Sequence, residues 1–262
     1  MTISSPQNPR IQRVRALLSR RSARDDENAF VLEGVRLTEE AFQAGVFPHF
    51  ALYSGSLSQR GLELVEKLSA SGVEVDLVTD SLLQSLSATE TSQGILAVLP
   101  RTDAPLPENP SFILILDNLR DPGNAGTILR TASAAGVDVV LLAPGTTDVY
   151  APKVVRAGMG AHFHLSIRAL SWPEIKTFCK NTCRPPVEIL LTEAEQGIPY
   201  WQVDLRRPLA LVIGGEAEGV SPQAQQAADR WVTIPMPGYA ESLNAATAAS
   251  VLIYEVVRQR NS

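Results

Sequence analysis

Three loops hold the residues that could do chemistry. DNLRDPGNAG offers Asn124 and leads to Arg130, GGEAEG offers Glu216 among glycines, and PMPGYAESLN offers Ser242 and Asn244. No Ser-His-Asp or Cys-His pairing is suggested, because the three histidines fall at His49, His162 and His164. The last two lie in AHFHL, where strand alternation would put both on one face. A metal pair is conceivable there, but no third ligand is evident, and two half-buried strand histidines is the favoured reading. Neither glycine-rich loop has the dinucleotide spacing G-x-G-x-x-G after a first strand, and neither is followed by the Lys-Ser/Thr of a phosphate cradle. Glycines, two amides, a carboxylate, a hydroxyl and a guanidinium suit a transfer whose reagent arrives activated, the protein mainly orienting it. Orientation alone is worth roughly 7–11 kcal/mol. A sulfonium methyl donor is one such reagent.

The elements that must hold these loops are legible from the apolar pattern. SFILILD is a continuous run of strand length, as expected of a parallel strand buried on both faces. Helix over Asn124 to Ala135 and strand over Val139 to Leu142 follow. Later strands are expected at Phe163 to Ile167, Val187 to Leu191, Leu209 to Ile213 and Val232 to Ile234, with helices near Ile175 to Lys180 and Pro222 to Ala228. After Ile234 the prolines of Pro235-Met236-Pro237-Gly238 end the ladder, and an alanine-rich helix is expected from Ser242 onward. A mostly parallel sheet covered by helices binds ligands beyond the carboxyl ends of its strands, where the three loops fall.

The N-terminal part reads as a second, smaller α/β/α layer of about one hundred residues, an ordinary domain size. Helices are expected at Pro9 to Ser19 and Val35 to Ala44 and strands at Phe30 to Leu32 and His49 to Tyr53, the pattern continuing to Ile95 to Leu99. Residues 1–100 form this domain, 101–110 a proline-rich linker and 111–262 the larger domain. The net charge of −5 argues against nucleic-acid binding until its distribution is considered. Six arginines, Arg10, Arg13, Arg15, Arg20, Arg21 and Arg24, fall in the first 24 residues with no acid. Such a start also suits a transit peptide, but Ile11, Val14, Leu17 and Leu18 repeat at helical spacing and run into FVLEG without a cleavage signal, so a mature basic helix is favoured. No apolar run approaches the ~20 residues of a membrane helix, and Cys179 and Cys183 read as ordinary thiols of a reducing cytoplasm.

NLRDPGNAGTILRTASAAG, LVIGGEAEG and IPMPGYAESLNAATAAS, in that order, resemble the three motifs of the SpoU/TrmH family of RNA 2′-O-ribose methyltransferases, within the SPOUT superfamily. The match runs from about Phe112 to Arg260. FVLEGVRLTEEA and TSQGILAVL are similar to the ribosomal-protein-like RNA-binding domain that many members carry. The resemblance implies a C-terminal α/β trefoil knot, S-adenosylmethionine bent into it, no metal, and a homodimer that acts on structured RNA. It carries cofactor contacts onto Gly214, Ile234, Met236, Gly238 and Leu243, and catalytic positions onto Arg130, Asn124, Glu216, Ser242 and Asn244.

Arginine is a poor base. A guanidinium that grips the target phosphate and steadies the developing ribose oxyanion asks less of its pKa. The competing structural readings are a surface pair of Arg130 with Asp121, and Asn124 as a helix cap. Arg10, Arg13, Arg20 and Arg156 are the expected RNA contacts. One departure stands: the family pattern Ser-Leu-Asn-Val-Ser is here Ser242-Leu243-Asn244-Ala245-Ala246, one hydroxyl fewer. The expected function is ribose methylation, of ribosomal rather than transfer RNA. The alternative is a knotted RNA-binding protein without catalysis.

Overall fold

The computed structural model describes residues 2–87, 92–101, 104–194, 196–215 and 219–262. The chain forms two compact units, Met1–Thr102 with Tyr150–Phe163, and Asp103–Val149 with His164–Ser262.

In the first unit, Asn8 accepts from the Arg10 amide and Pro9 opens α1 (Pro9–Ser19), which has no acid in its first turn. A helix not anticipated from the sequence, α2 (Arg21–Glu27), follows at once. Then come β1 (Ala29–Glu33), α3 (Val35–Gln43), β2 (Phe50–Ser54), α4 (Gln59–Ala70), β3 (Glu74–Val78), α5 (Asp80–Gln84) and β4 (Ile95–Pro100). The sheet order is β1-β4-β2-β3, with β4 antiparallel to both neighbours. Strand alternation sorts the core in two. Phe30, Leu32, Ala51, Ile95, Ala97 and Leu99 pack with α3 and α4, while Val31, Phe50, Leu52, Leu96 and Val98 pack with Ile11, Val14 and Leu17 of α1.

Part of the basic N-terminus is neutralised by acids from later in the chain. Arg10 lies over the Phe50 ring and pairs with Glu74 and Asp76, and Arg13 meets Glu27 at 2.6 Å. Arg24 is buried and donates to the Leu17 carbonyl at 2.5 Å, closing the end of α1. Arg20 is exposed and makes no side-chain bond among the described residues.

In the second unit β5 (Phe112–Asp117) leads into α6 (Pro122–Ala134) and β6 (Val139–Leu142). The helix α7 (Pro152–Gly158) is counted with the first unit, so residues 150–163 leave the larger domain to which the sequence reading assigned them. Val155 and Tyr150 bury against the first unit's core, which is the physical reason. The chain continues through β7 (Ser166–Ala169), α8 (Trp172–Thr177), a π turn at Phe178–Thr182, β8 (Glu188–Thr192), β9 (Ile198–Pro199), β10 (Leu209–Gly214), α9 (Pro222–Ala227), β11 (Arg230–Thr233) and α10 (Ala245–Arg260).

AHFHL is not a strand. His162 is buried in a short 3-10 turn and His164 is exposed beyond it, so the two do not share a strand face. Among the described residues no group of three metal-ligating side chains occurs, and no helix is long and apolar enough to cross a membrane.

The second unit's sheet runs β7-β6-β5-β10-β8-β11-β9 with every pairing parallel. One face carries Ile113, Ile115, Ile189, Leu191, Ala210 and Val212 against Trp172, Ile175 and Ala224. On α10, Ala245, Ala249, Leu252, Ile253 and Val256 are buried at helical spacing, and the helix packs beside α6 and on β10. Its far end is pinned by Arg260, which donates to the Ser111 and Arg207 carbonyls at 2.8 and 3.1 Å.

Cys179 and Cys183 are buried, and burial pushes the Cys179 thiol up to about 12 and raises Cys183 as well. A raised thiol pKa favours the folded state below the unfolded value, and that contribution is lost as pH climbs toward the folded one. Stability is therefore expected to decline from about pH 9 upward. Thiol reagents at pH 8 should modify neither cysteine until the protein unfolds, which labelling with and without denaturant would check.

Candidate functional site

Where the central strands end, the backbone opens around a cavity of about 400 Å³. Its floor is the end of β10, Ile213-Gly214-Gly215, with Gly219 and Val220 beside it. One wall is the end of β8, Thr192-Glu193-Ala194, and another is Val232, Ile234 and Met236 after β11. The remaining wall is Ser242-Leu243-Asn244 with Ala245, Ala248 and Leu252 of α10.

The walls are tied to one another. Thr192 Oγ1 donates to the Val212 carbonyl at 2.6 Å, Glu193 N to the Val232 carbonyl at 3.0 Å, and Thr233 Oγ1 to the Ala194 carbonyl at 2.9 Å. Gly215 permits a close approach that no side chain would allow: a Cβ there would stand 2.2 Å from the Asn118 carbonyl oxygen. Asn118 itself adopts a left-handed φ of 54°. The small Ala245 and Ala248 leave the α10 side of the cavity open to a flat group. Glu193 is the ionisable side chain among the described lining residues.

The helix after the third loop starts later than expected. Asn244, not Ser242, caps it, its Oδ1 accepting from the Ala246 and Thr247 amides at 2.9 and 3.3 Å. Its other amide atom donates to Asn124 Oδ1 at 3.0 Å, joining the first and third loops. Asn124 is therefore not the cap of α6. Asp121 is, accepting from the Asn124 amide at 2.7 Å. Asn244→Ala should cost about 1 kcal/mol through the lost cap, and more in activity than in stability, because it also removes the bond that joins the first loop to the third at Asn124. Paired thermal melts and turnover measurements would check this.

Of the expected cofactor residues, Gly214, Ile234, Met236 and Leu243 line the cavity and Gly238 does not. Of the expected catalytic residues, Ser242 and Asn244 line it, Asn124 is bonded to Asn244, and Glu216 lies outside the described residues. Arg130 is exposed on α6, away from the lining, and among the described residues it makes no hydrogen bond or ion pair, with Asp121 or any other. Arg156 sits 4.0 Å from Glu33 within the first unit. The hydroxyl missing at Ala246 falls on a buried helix position outside the lining. Sequence reasoning missed Thr192, Glu193 and Leu252. The wall from β8 carries no glycine or amide signal, so only its adjacency to β10 could have found it.

A model described as the SpoU rRNA Methylase family matches residues 111–254. The chain belongs to the SpoU rRNA methylase family. A second model, the MRM3-like substrate binding domain, matches residues 8–97.

Among SpoU relatives, the chain is 30% identical to the 23S rRNA (guanosine(2553)-2'-O)-methyltransferase RlmP of Bacillus subtilis, over 97% of this chain and 98% of that protein. It is 33% identical to a 23S rRNA (uridine(2479)-2'-O)-methyltransferase of Streptomyces viridochromogenes, over 97% and 91%. The SpoU methyltransferase AviRb of that organism, solved in complex with AdoMet, superimposes with a TM-score of 0.87 at 32% identity, covering 98% of this chain and 99% of that one. The α/β fold with its parallel sheet is thus the SpoU methyltransferase fold.

Proposed function

We propose that this protein transfers a methyl group from S-adenosylmethionine to a ribose 2′-hydroxyl of ribosomal RNA. The observation that carries the reading is the cavity of about 400 Å³ on which the second and third motif loops meet, the first being joined to it through Asn124 and Asn244. Its size falls in the range of about 300–1,000 Å³ usual for small-molecule sites. The residues fit such a cofactor: Ile213, Val220, Val232, Ile234 and Leu252 offer apolar walls to a purine, and Gly214 and Gly215 bring backbone without a side chain to the lining. Glu193 adds a carboxylate suited to a cation or to ribose hydroxyls.

When bound, S-adenosylmethionine supplies a methyl group activated by its sulfonium. The chain's own residues then orient and stabilise. Gly214, Ile234, Met236 and Leu243 hold the cofactor, with Gly238 shaping the loop between them. Ser242 and Asn244 are exposed polar members of the lining and are read as meeting the ribose, Asn244 being fixed by its cap and by Asn124. Glu216 belongs to this polar set by its motif position. Arg130 grips the phosphate beside the target ribose and steadies negative charge on the 2′-oxygen as its proton passes to solvent water. Its guanidinium, exposed and unpaired among the described residues, suits a group that waits for RNA, in its own subunit or across a homodimer.

We also read α10 as threaded through a trefoil knot. The strand order β5-β10-β8-β11 supports this, because the chain must return from beyond β8 to pack α10 on β10. The first unit is read as the RNA grip. Arg20 is ready for phosphate, whereas Arg10, Arg13 and Arg156 must first exchange carboxylate neighbours for phosphates. The named 23S rRNA activities of relatives aligned along nearly the whole chain support ribosomal over transfer RNA, and the buried free thiols suit a reducing cytoplasm. The test is calorimetry with S-adenosylmethionine, then methyl transfer to ribosomal RNA mapped at ribose 2′ positions with and without the protein. Absence of cofactor uptake would overturn the reading.

A further inference from the structure

Among the described residues one carboxylate, Asp117 at the end of β5, is fully buried. It makes no contact with a cation among the described residues and is satisfied by three neutral donors. Its Oδ2 accepts from the Ser221 amide at 2.6 Å, and its Oδ1 accepts from Ser221 Oγ and from Trp172 Nε1, each at 3.0 Å. Burying a carboxylate without a counter-charge is costly unless its lone pairs are filled, so this arrangement is justified only by what it holds in place.

What it holds is one flank of the cavity. In the parallel ladder Asp117 stands opposite Gly214, where β10 gives out, and through Ser221 it also grips the chain just after Gly219 and Val220. One side chain therefore fixes both the departure and the return of the loop whose ends, Gly214, Gly215, Gly219 and Val220, line the cavity. Ser221 is in turn the cap of α9, accepting from the Ala224 amide at 3.2 Å, so the grip is anchored to a helix. Next along β5, the Asn118 carbonyl is the surface on which Gly215 rests.

We infer that Asp117 is a positioning residue for the cofactor: a buried clamp that sets the spacing of the Gly214–Val220 rim through Ser221, without touching the ligand. The inference rests on the reading that this cavity takes S-adenosylmethionine. An asparagine at the position keeps the shape but brings an amide N–H₂, which must face one of the three donors and so leaves a buried polar group unmatched. The rim then loosens while the fold around Trp172 persists.

The experiment compares wild type with Asp117→Asn, Ser221→Ala and Trp172→Phe, the last removing a donor that does not belong to the rim. Asp117→Asn and Ser221→Ala are expected to weaken S-adenosylmethionine binding and raise its KM by about tenfold, with kcat at saturation little changed, whereas Trp172→Phe leaves affinity within about twofold. In the protein without cofactor, the Gly215 amide, which donates to the Gly219 carbonyl at 3.2 Å, should exchange faster in the first two variants and not in the third. Unchanged affinity and unchanged Gly215 exchange in folded Asp117→Asn would overturn the clamp. Should that variant fail to fold, the same two readouts in Ser221→Ala decide. If wild type binds no S-adenosylmethionine, the assignment of the cavity falls, and Gly215 exchange alone still tells whether Asp117 holds the rim.

Discussion

Arg130→Ala is expected to lower the rate of methyl transfer by about 10²–10³-fold, the usual loss when a group stabilising developing charge is removed. Affinity for S-adenosylmethionine should stay at the wild-type value. The separation follows from position: Arg130 is exposed on α6, lines no part of the cavity, and makes no bond among the described residues that its removal could break. Exposed substitutions of this kind shift stability by no more than about 0.5 kcal/mol, so the melting curve should not move. Arg130→Lys should recover little, since a bidentate grip on phosphate needs the planar fork. Single-turnover transfer with parallel calorimetry measures both halves. Full activity of Arg130→Ala would remove this residue from the reaction.

The second large effect is expected at Gly215. An alanine there puts its Cβ 2.2 Å from the Asn118 carbonyl oxygen and 3.1 Å from the carbonyl carbon. The obstacle is backbone and cannot rotate away, and the next residue is held by the Thr147 amide donating to the Leu119 carbonyl at 2.8 Å. Overpacking of this kind costs about 1–3 kcal/mol, and here relief requires the cavity floor to move. Gly215→Ala should therefore lose more than about tenfold in cofactor affinity as well as stability. Gly238 is the control: its Cβ would meet nothing within 4 Å, so Gly238→Ala should leave affinity nearly unchanged although the residue belongs to the same motif set. Thermal melts with calorimetry on both variants test the pair. Equal behaviour of the two would show that motif membership, not contact geometry, governs the site.

Much of this was written in local pattern. The strands at β5, β6, β8 and β10 are short apolar runs of the kind expected in a sheet buried on both faces, and the three motif loops follow the breaks after β5, β10 and β11. Less of the loop chemistry was legible. Ser242 and Asn244 are equally good capping residues by type, and nothing local chooses between them. The choice falls to Asn244 because its Oδ1 reaches two amides while its N–H₂ reaches Asn124, a residue 120 positions away. AHFHL alternates like a strand, yet His162 is buried in a turn against Phe30 and Tyr150, a tertiary contact overriding periodicity. Arg10 looked free because its acids, Glu74 and Asp76, come some sixty residues later.

By itself the sequence determined the α/β class and most of the strands and helices of the larger unit, since these depend on period, breakers and residue type within a short window. Only the tertiary structure decided that β8 lies between β10 and β11 and supplies Thr192 and Glu193 as a cavity wall, and that Asp117 spans Gly214 and Ser221. Strand order is set by which faces bury together across the whole unit, and no local window of residues contains that information.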